Sequence, residues 1–222
     1  MSLKYNDPYS MATHGLVNNA SFKTVNIIMI GEGELSKPVG LNVVKTFDNF
    51  EITATSTEFY EFIGWDEYPY EETNTLLLEN VSENLTVTAR FQRKYYFEYD
   101  IMGNGTIEFT PDLNSGDQVY TNSVIKAVAI PGDGYKFNIF STNRDVNYEE
   151  SSISLRITND TMLFCRFSKI VYNIEAYVLG NGTLEITDNN GGKYNHGDLI
   201  NFTAIPDEGW EFSEWKYDFN DE

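Results

Sequence analysis

Apolar and polar residues alternate with a period of two in segment after segment of this chain. Phe50-Glu51-Ile52-Thr53-Ala54-Thr55 is the clearest case, and that alternation predicts a strand with one face buried and one face wet. Strands are likewise predicted at Val25 to Ile30, Leu85 to Phe91, Tyr95 to Tyr99, Val124 to Ile130, Ile153 to Ile157, Met162 to Phe167, Tyr172 to Val178 and Ile200 to Pro206. No stretch shows a 3.6-residue apolar stripe of helical length, so the chain is mainly β.

The strands recur in register. Gly31-Glu32-Gly33, Gly103-Asn104-Gly105 and Gly180-Asn181-Gly182 each follow an apolar run, and an aromatic cluster follows each phrase after another strand. Trp65, Phe140 and Trp215 are spaced by 75 and 75, as are Ala54, Ala129 and Ala204. Repetition at this period predicts three tandem β-rich units of about 75 residues. Their bounds are 24–94, 95–170 and 171–222, preceded by 1–23 as a leader or as the tail of an earlier unit, since Asn19-Ala20-Ser21-Phe22-Lys23 echoes Thr88-Ala89-Arg90-Phe91-Gln92. Polar residues with turn signals fill the leader, and no Gly, Pro or Ser-rich linker separates the units, which favours a stiff rod over loose beads.

Three structural expectations follow. Trp65 and Trp215 should be buried anchors of their units, because an aromatic that recurs in register points to core. Gly105 and Gly182 should adopt positive φ in the turns between strands. The third unit has no counterpart of the strands at 76–91 and 153–167 and reads as incomplete. Part of its apolar face, around Phe202, Phe212 or Trp215, should then be uncovered, giving either self-association through that end or the least stable unit of the three.

Charge narrows the partners. Fifteen Lys and Arg stand against 34 Asp and Glu, a formal charge of −19, and the acids are spread along the chain. Nucleic acid and anionic membrane surfaces, which are bound through clustered cations, are poor candidate partners, and no nucleic acid is expected. No apolar run approaches the roughly 18 residues of a membrane-spanning helix, so no membrane insertion is expected, and Met1-Ser2-Leu3 starts no signal peptide. The single cysteine, Cys165, permits no internal disulfide.

Candidate chemistry is sparse. Asp66-Glu67, Glu71-Glu72 and Glu149-Glu150 offer carboxylate pairs of glycosidase type, but neighbours on a strand point to opposite faces and solvated loops explain them. Asp112-Leu113-Asn114-Ser115-Gly116-Asp117 and Asp188-Asn189-Asn190-Gly191-Gly192 hint at calcium loops without the spaced ligands or closing Glu, and read as turns. His14 and His196 lie in unrelated contexts, so no zinc cluster assembles, and Cys165, with no histidine near, reads as a small buried hydrophobe rather than a nucleophile. Tyr68, Tyr70, Tyr217 and Phe219 fall outside the repeat register and could form a sugar-stacking or partner surface. Arg90, Arg93, Lys94, Arg166 and Lys169 cluster at unit ends, either as gatekeepers of apolar strands or paired with acids of the adjacent unit.

The frame Gly180-Asn181-Gly182-Thr183, strand, Tyr194-Asn195-His196-Gly197-Asp198, strand ending Thr203-Ala204-Ile205-Pro206, then Asp207-Glu208-Gly209-Trp210-Glu211-Phe212-Ser213-Glu214-Trp215 resembles the divergent internalin-B B-repeat modules of bacterial surface and secreted proteins. Residues 24–222 share it, with Phe59 in place of the frame's glycine, Phe140 in place of tryptophan and Glu214 in place of Gly64. The resemblance implies a small β-rich, β-grasp-like module, without enzymatic activity or cofactor, serving as stalk, spacer or adhesion part of an exported bacterial protein at the cell surface or secreted. Its partner would be a protein or a glycan. Two alternatives remain: a carbohydrate-binding module, which needs a row of exposed aromatics, and a phage virion or tail-fibre component, which needs trimeric assembly.

Overall fold

The computed structural model describes residues 21–187 and 191–217. The leader through residue 20, His14, Phe219 and the Asp188-Asn189-Asn190 turn lie outside the described residues. The chain divides into two compact units, Met1–Lys94 and Tyr95–Glu222.

The first unit is built from β1 (Phe22–Ile30), β2 (Glu34–Leu35), β3 (Gly40–Lys45), β4 (Phe50–Thr55), β5 (Tyr60–Trp65), β6 (Thr75–Leu78) and the first half of β7 (Leu85–Met102). β1 pairs antiparallel with β3 and parallel with β7, and β7 pairs antiparallel with β5. A second sheet runs β2-β4-β6. Period-two alternation sends one set of side chains from each sheet inward: Val25, Ile27, Val87, Ala89, Phe91 and Trp65 from the first, Phe50, Ile52, Ala54, Leu76 and Leu78 from the second. Trp65 is 2% exposed, and its Nε1–H donates to the Thr73 carbonyl at 3.2 Å, so burying the indole strands no polar group.

The second unit replays the plan. It comprises the second half of β7, β8 (Gly105–Thr110), β9 (Asp117–Tyr120), β10 (Val124–Pro131), β11 (Tyr135–Thr142), β12 (Asn147–Tyr148), β13 (Ser152–Arg156), β14 (Thr161–Lys169), β15 (Val171–Asn173), β16 (Gly182–Thr187), β17 (Lys193–Asn195) and β18 (Asn201–Pro206). β14 pairs parallel with β7 and antiparallel with β11, while β8, β10 and β13 form the facing sheet. Phe140, at the position of Trp65, is buried among Phe97, Leu163, Cys165 and Phe167. First and closing strands pair in parallel in both of these repeats. Among the described residues the crossover between them is strand and turn, without a helix.

Residues 171–217 have only half of that architecture. β15 pairs with β17 over three positions and β16 with β18 over six, from Gly182↔Pro206 to Thr187↔Asn201. Tyr194 alone of the described apolar residues there is buried. Trp215 is 52% exposed, which corrects the expectation that it anchors a core as Trp65 does: among the described residues no strand lies over it.

The glycine expectation also needs correcting. Positive φ falls on the first glycine of each phrase, Gly31 (87°), Gly103 (96°) and Gly180 (105°), and not on Gly105 or Gly182. The second glycine is required for space instead. A Cβ at Gly105 would stand 2.6 Å from the Phe167 ring, and one at Gly182 2.7 Å from the Ile205 carbonyl oxygen.

Candidate functional site

Several of the candidate acids are tied into structure. Asp66 accepts two hydrogen bonds from Arg90, at 2.8 and 2.6 Å, and the guanidinium holds its carboxyl below the ordinary carboxylate pKa. Glu67 accepts from the backbone N–H and the hydroxyl of Thr88, at 2.6 and 2.7 Å, and Glu71 accepts from the Thr73 hydroxyl. Asp117 accepts from the Asn114 N–H at 2.7 Å, closing the turn that had suggested calcium. Lys94 lies 3.4 Å from Glu61 and Arg93 stands 5.7 Å over the Tyr60 ring, so Arg90, Arg93 and Lys94 each engage a residue of their own repeat. Burial pushes the Cys165 thiol up to about 12, far from a usable thiolate. His196 meets the Tyr172 hydroxyl at 3.2 Å and Asp133 at 3.7 Å, beside Gly134, where the third repeat joins the second.

A cleft of about 530 Å³ opens in the first repeat, lined by Ile63, Trp65, Asp66, Tyr68, Glu71, Glu72 and Arg90 among others. Tyr68 is half-buried against the core and its phenol pKa is raised, first by desolvation and then by Glu67 and Glu83, so it stays a neutral hydrogen-bond donor through neutral pH. Tyr70 is 96% exposed and does not contribute to that lining.

The larger candidate surface belongs to the third repeat. Along β18 the inward positions Phe202 and Ala204 are only half-buried, whereas Ile52, Ala54, Ala127 and Ala129 at the matching positions of the other repeats are buried. Beside them Tyr177, Val178, Leu179, Leu199, Trp210, Phe212 and Trp215 are all exposed. Phe212 and Trp215 nonetheless already hold the packing of the finished repeats. Their ring centroids are 5.1 Å apart, against 5.0 Å for both Phe62–Trp65 and Phe137–Phe140. What the third repeat lacks is the closing phenylalanine that sits 5.5 Å from Phe62 as Phe91 and 6.3 Å from Phe137 as Phe167. The surface was legible in the sequence from the missing strands; the structural bonds of Glu67, Glu71 and Asp117 carry no sequence signal beyond being turn acids.

Among the described residues no helix is long and apolar enough to cross a membrane. No curated protein matches the chain. The sequence profile of the divergent InlB B-repeat domain matches three consecutive segments, 23–95, 98–171 and 172–221, the last of them the shortest. Together these segments span nearly all of the sequence and coincide with the repeated glycine phrase and aromatic pair, so the chain belongs to the divergent InlB B-repeat domain family.

Proposed function

We propose that the chain is a non-enzymatic repeat region of an exported bacterial surface protein, acting as stalk, spacer or adhesion module. One observation carries this reading: three B-repeat modules follow one another without a linker, and the first two spend their conspicuous residues on architecture. The acids of the first repeat hold Arg90, Thr88 and Thr73, and the cysteine of the second is core. A dispersed negative charge suits a module that must stay soluble outside the cell and avoid polyanions. The test is protease shaving of intact cells expressing the full-length parent protein. Release of peptides from 24–217 by external protease is the expected result, whereas recovery of the repeats only from lysed cells would overturn the assignment.

A further inference from the structure

One place on the fold is open in the first repeat and nearly closed in the second. β5 and β11 each carry a bulge opposite the closing strand: the ladder steps from Phe62↔Phe91 to Gly64↔Arg90, and from Phe137↔Phe167 to Ile139↔Arg166. Gly64 and Ile139 therefore share a register position, and so do Asp66 and Ser141, each pair 75 residues apart. Around Ile139, Ser141 and Arg166 the surface leaves a recess of only about 90 Å³. Around Gly64, Asp66 and Arg90 it opens to about 530 Å³, a size that small-molecule sites have. Nothing lies within 4 Å of where a Cβ would stand on Gly64, so the missing side chain is part of that space.

The wall of the cleft is the loop from Asp66 to Asn74, and it is pinned at both ends. The Asp66 N–H donates to the Thr88 carbonyl at 3.0 Å, and Glu67 accepts from the N–H and hydroxyl of the same threonine. Further along, the Tyr68 N–H bonds the Trp65 carbonyl and the Glu71 N–H that of Tyr68, both at 3.0 Å, and the Trp65 indole holds the Thr73 carbonyl. A loop fixed in this way loses little freedom when a ligand settles on it.

The groups this wall leaves over are both donors and acceptors. Arg90 gives Nε and Nη2 to Asp66, and its Nη1 has no partner among the described residues. Glu71 gives Oε1 to Thr73 and keeps Oε2, while the Glu72 carboxylate and the Tyr68 hydroxyl have no hydrogen-bond partner among the described residues. A free anion would meet Glu71 and Glu72, and a free cation would leave Arg90 and the neutral Tyr68 phenol unused. A hydroxyl group uses both kinds, donating to a carboxylate while accepting from a guanidinium. Exposed Ile63 and Pro69 add an apolar rim suited to C–H groups.

We propose that this cleft is a binding site for a neutral saccharide, its hydroxyls shared among Glu71, Glu72, Arg90 and Tyr68. The site goes beyond a stalk or adhesion role and stands independently of where the chain is displayed.

The experiment applies the full chain to an array of neutral, sialylated and sulfated glycans, with oligolysine titrated as competitor. Binding should be confined to neutral glycans. Tyr68→Phe and Glu72→Gln should each weaken it about tenfold, the effect of one lost hydrogen bond of this kind, while hydrogen exchange across 22–93 stays native. Ser141→Ala, at the matching place in the second repeat, should leave it unchanged. Absence of binding to every neutral glycan would overturn the proposal, as would a preference for the sialylated or sulfated ones. Displacement by oligolysine would overturn it too, by showing that the acids serve a basic peptide. Full binding retained by both Tyr68→Phe and Glu72→Gln would place the sugar elsewhere and likewise end it.

Discussion

The same substitution at two equivalent glycines separates backbone strain from strand packing. Gly103 and Gly180 both have positive φ, 96° and 105°, so alanine at either position carries the left-handed penalty of about 1–2 kcal/mol. Only Gly103 is crowded: its added Cβ would stand 2.4 Å from the Phe167 carbonyl oxygen and 3.0 Å from the carbonyl carbon, whereas at Gly180 the Trp210 ring lies at an ordinary 3.5 Å. Backbone cannot swing aside like a side-chain tip, so β14 must shift away from β7, an overpacking effect of about 1–3 kcal/mol more. Gly103→Ala should therefore destabilise the second repeat by about 2–5 kcal/mol, and Gly180→Ala its own by only about 1–2 kcal/mol. Linked repeats need not unfold in one step, so the measurement is segment-resolved hydrogen exchange rather than one melting curve. At about tenfold per 1.4 kcal/mol, the excess at Gly103 should appear as an extra five- to roughly 150-fold loss of protection at 97–102 and 161–167. Equal losses at the two sites would refute the claim that the closing strand, and not the turn alone, requires this glycine.

Trp65→Ala should cost the first repeat about 3–5 kcal/mol, whereas Trp215→Ala, at a half-exposed side chain, should stay within about 0.5 kcal/mol; urea titration followed by segment exchange compares them. Cys165 should resist iodoacetamide in the native protein at pH 8 and react once the chain is unfolded in guanidinium. Because its thiol is raised from 9.0 to about 12, the unfolded state ionises first as pH rises. Stability of the second repeat should thus be full below pH 9 and fall between 9 and 12, a loss that Cys165→Ala should remove from the pH–melting profile. Asp66, lowered by Arg90, works in the opposite direction: its contribution is present above the ordinary carboxylate pKa of 3.8 and is lost as acid protonates it. The first repeat of an Asp66→Asn variant should accordingly show a shallower decline in melting temperature below pH 4 than the native chain.

Local pattern revealed the strands because alternation and burial are the same fact seen twice. Phe50 to Thr55 alternate in sequence and become β4, buried at Phe50, Ile52 and Ala54. The role of each glycine was less accessible. Which residue of a Gly-Asn-Gly turn takes positive φ is local, but the reason Gly33 and Gly105 admit no side chain is a phenylalanine ring, Phe91 or Phe167, brought in by the last strand of the repeat. Trp215 was misread for a related reason. Register places it with Trp65 and Phe140, yet register conveys position and not cover, and residues 171–217 supply no strand to cover it. The basic residues at unit ends could not be assigned from sequence because Arg90 and Asp66 come together through the β5–β7 ladder, a pairing visible only in three dimensions.

The parallel insertion of the closing strand also dictates a timetable. Val25 pairs with Leu85 and Phe97 with Thr161, so the first strand of a repeat must wait some sixty residues for its neighbour. Contacts so distant along the chain are slow to form. During synthesis each repeat leaves the ribosome with its first and aromatic strands made and their shared edge vacant, and it closes only when the final phenylalanine emerges. Each of the first two repeats therefore passes, while it is being made, through an interval in which its first strand and its aromatic strand wait for the closing strand that will join them.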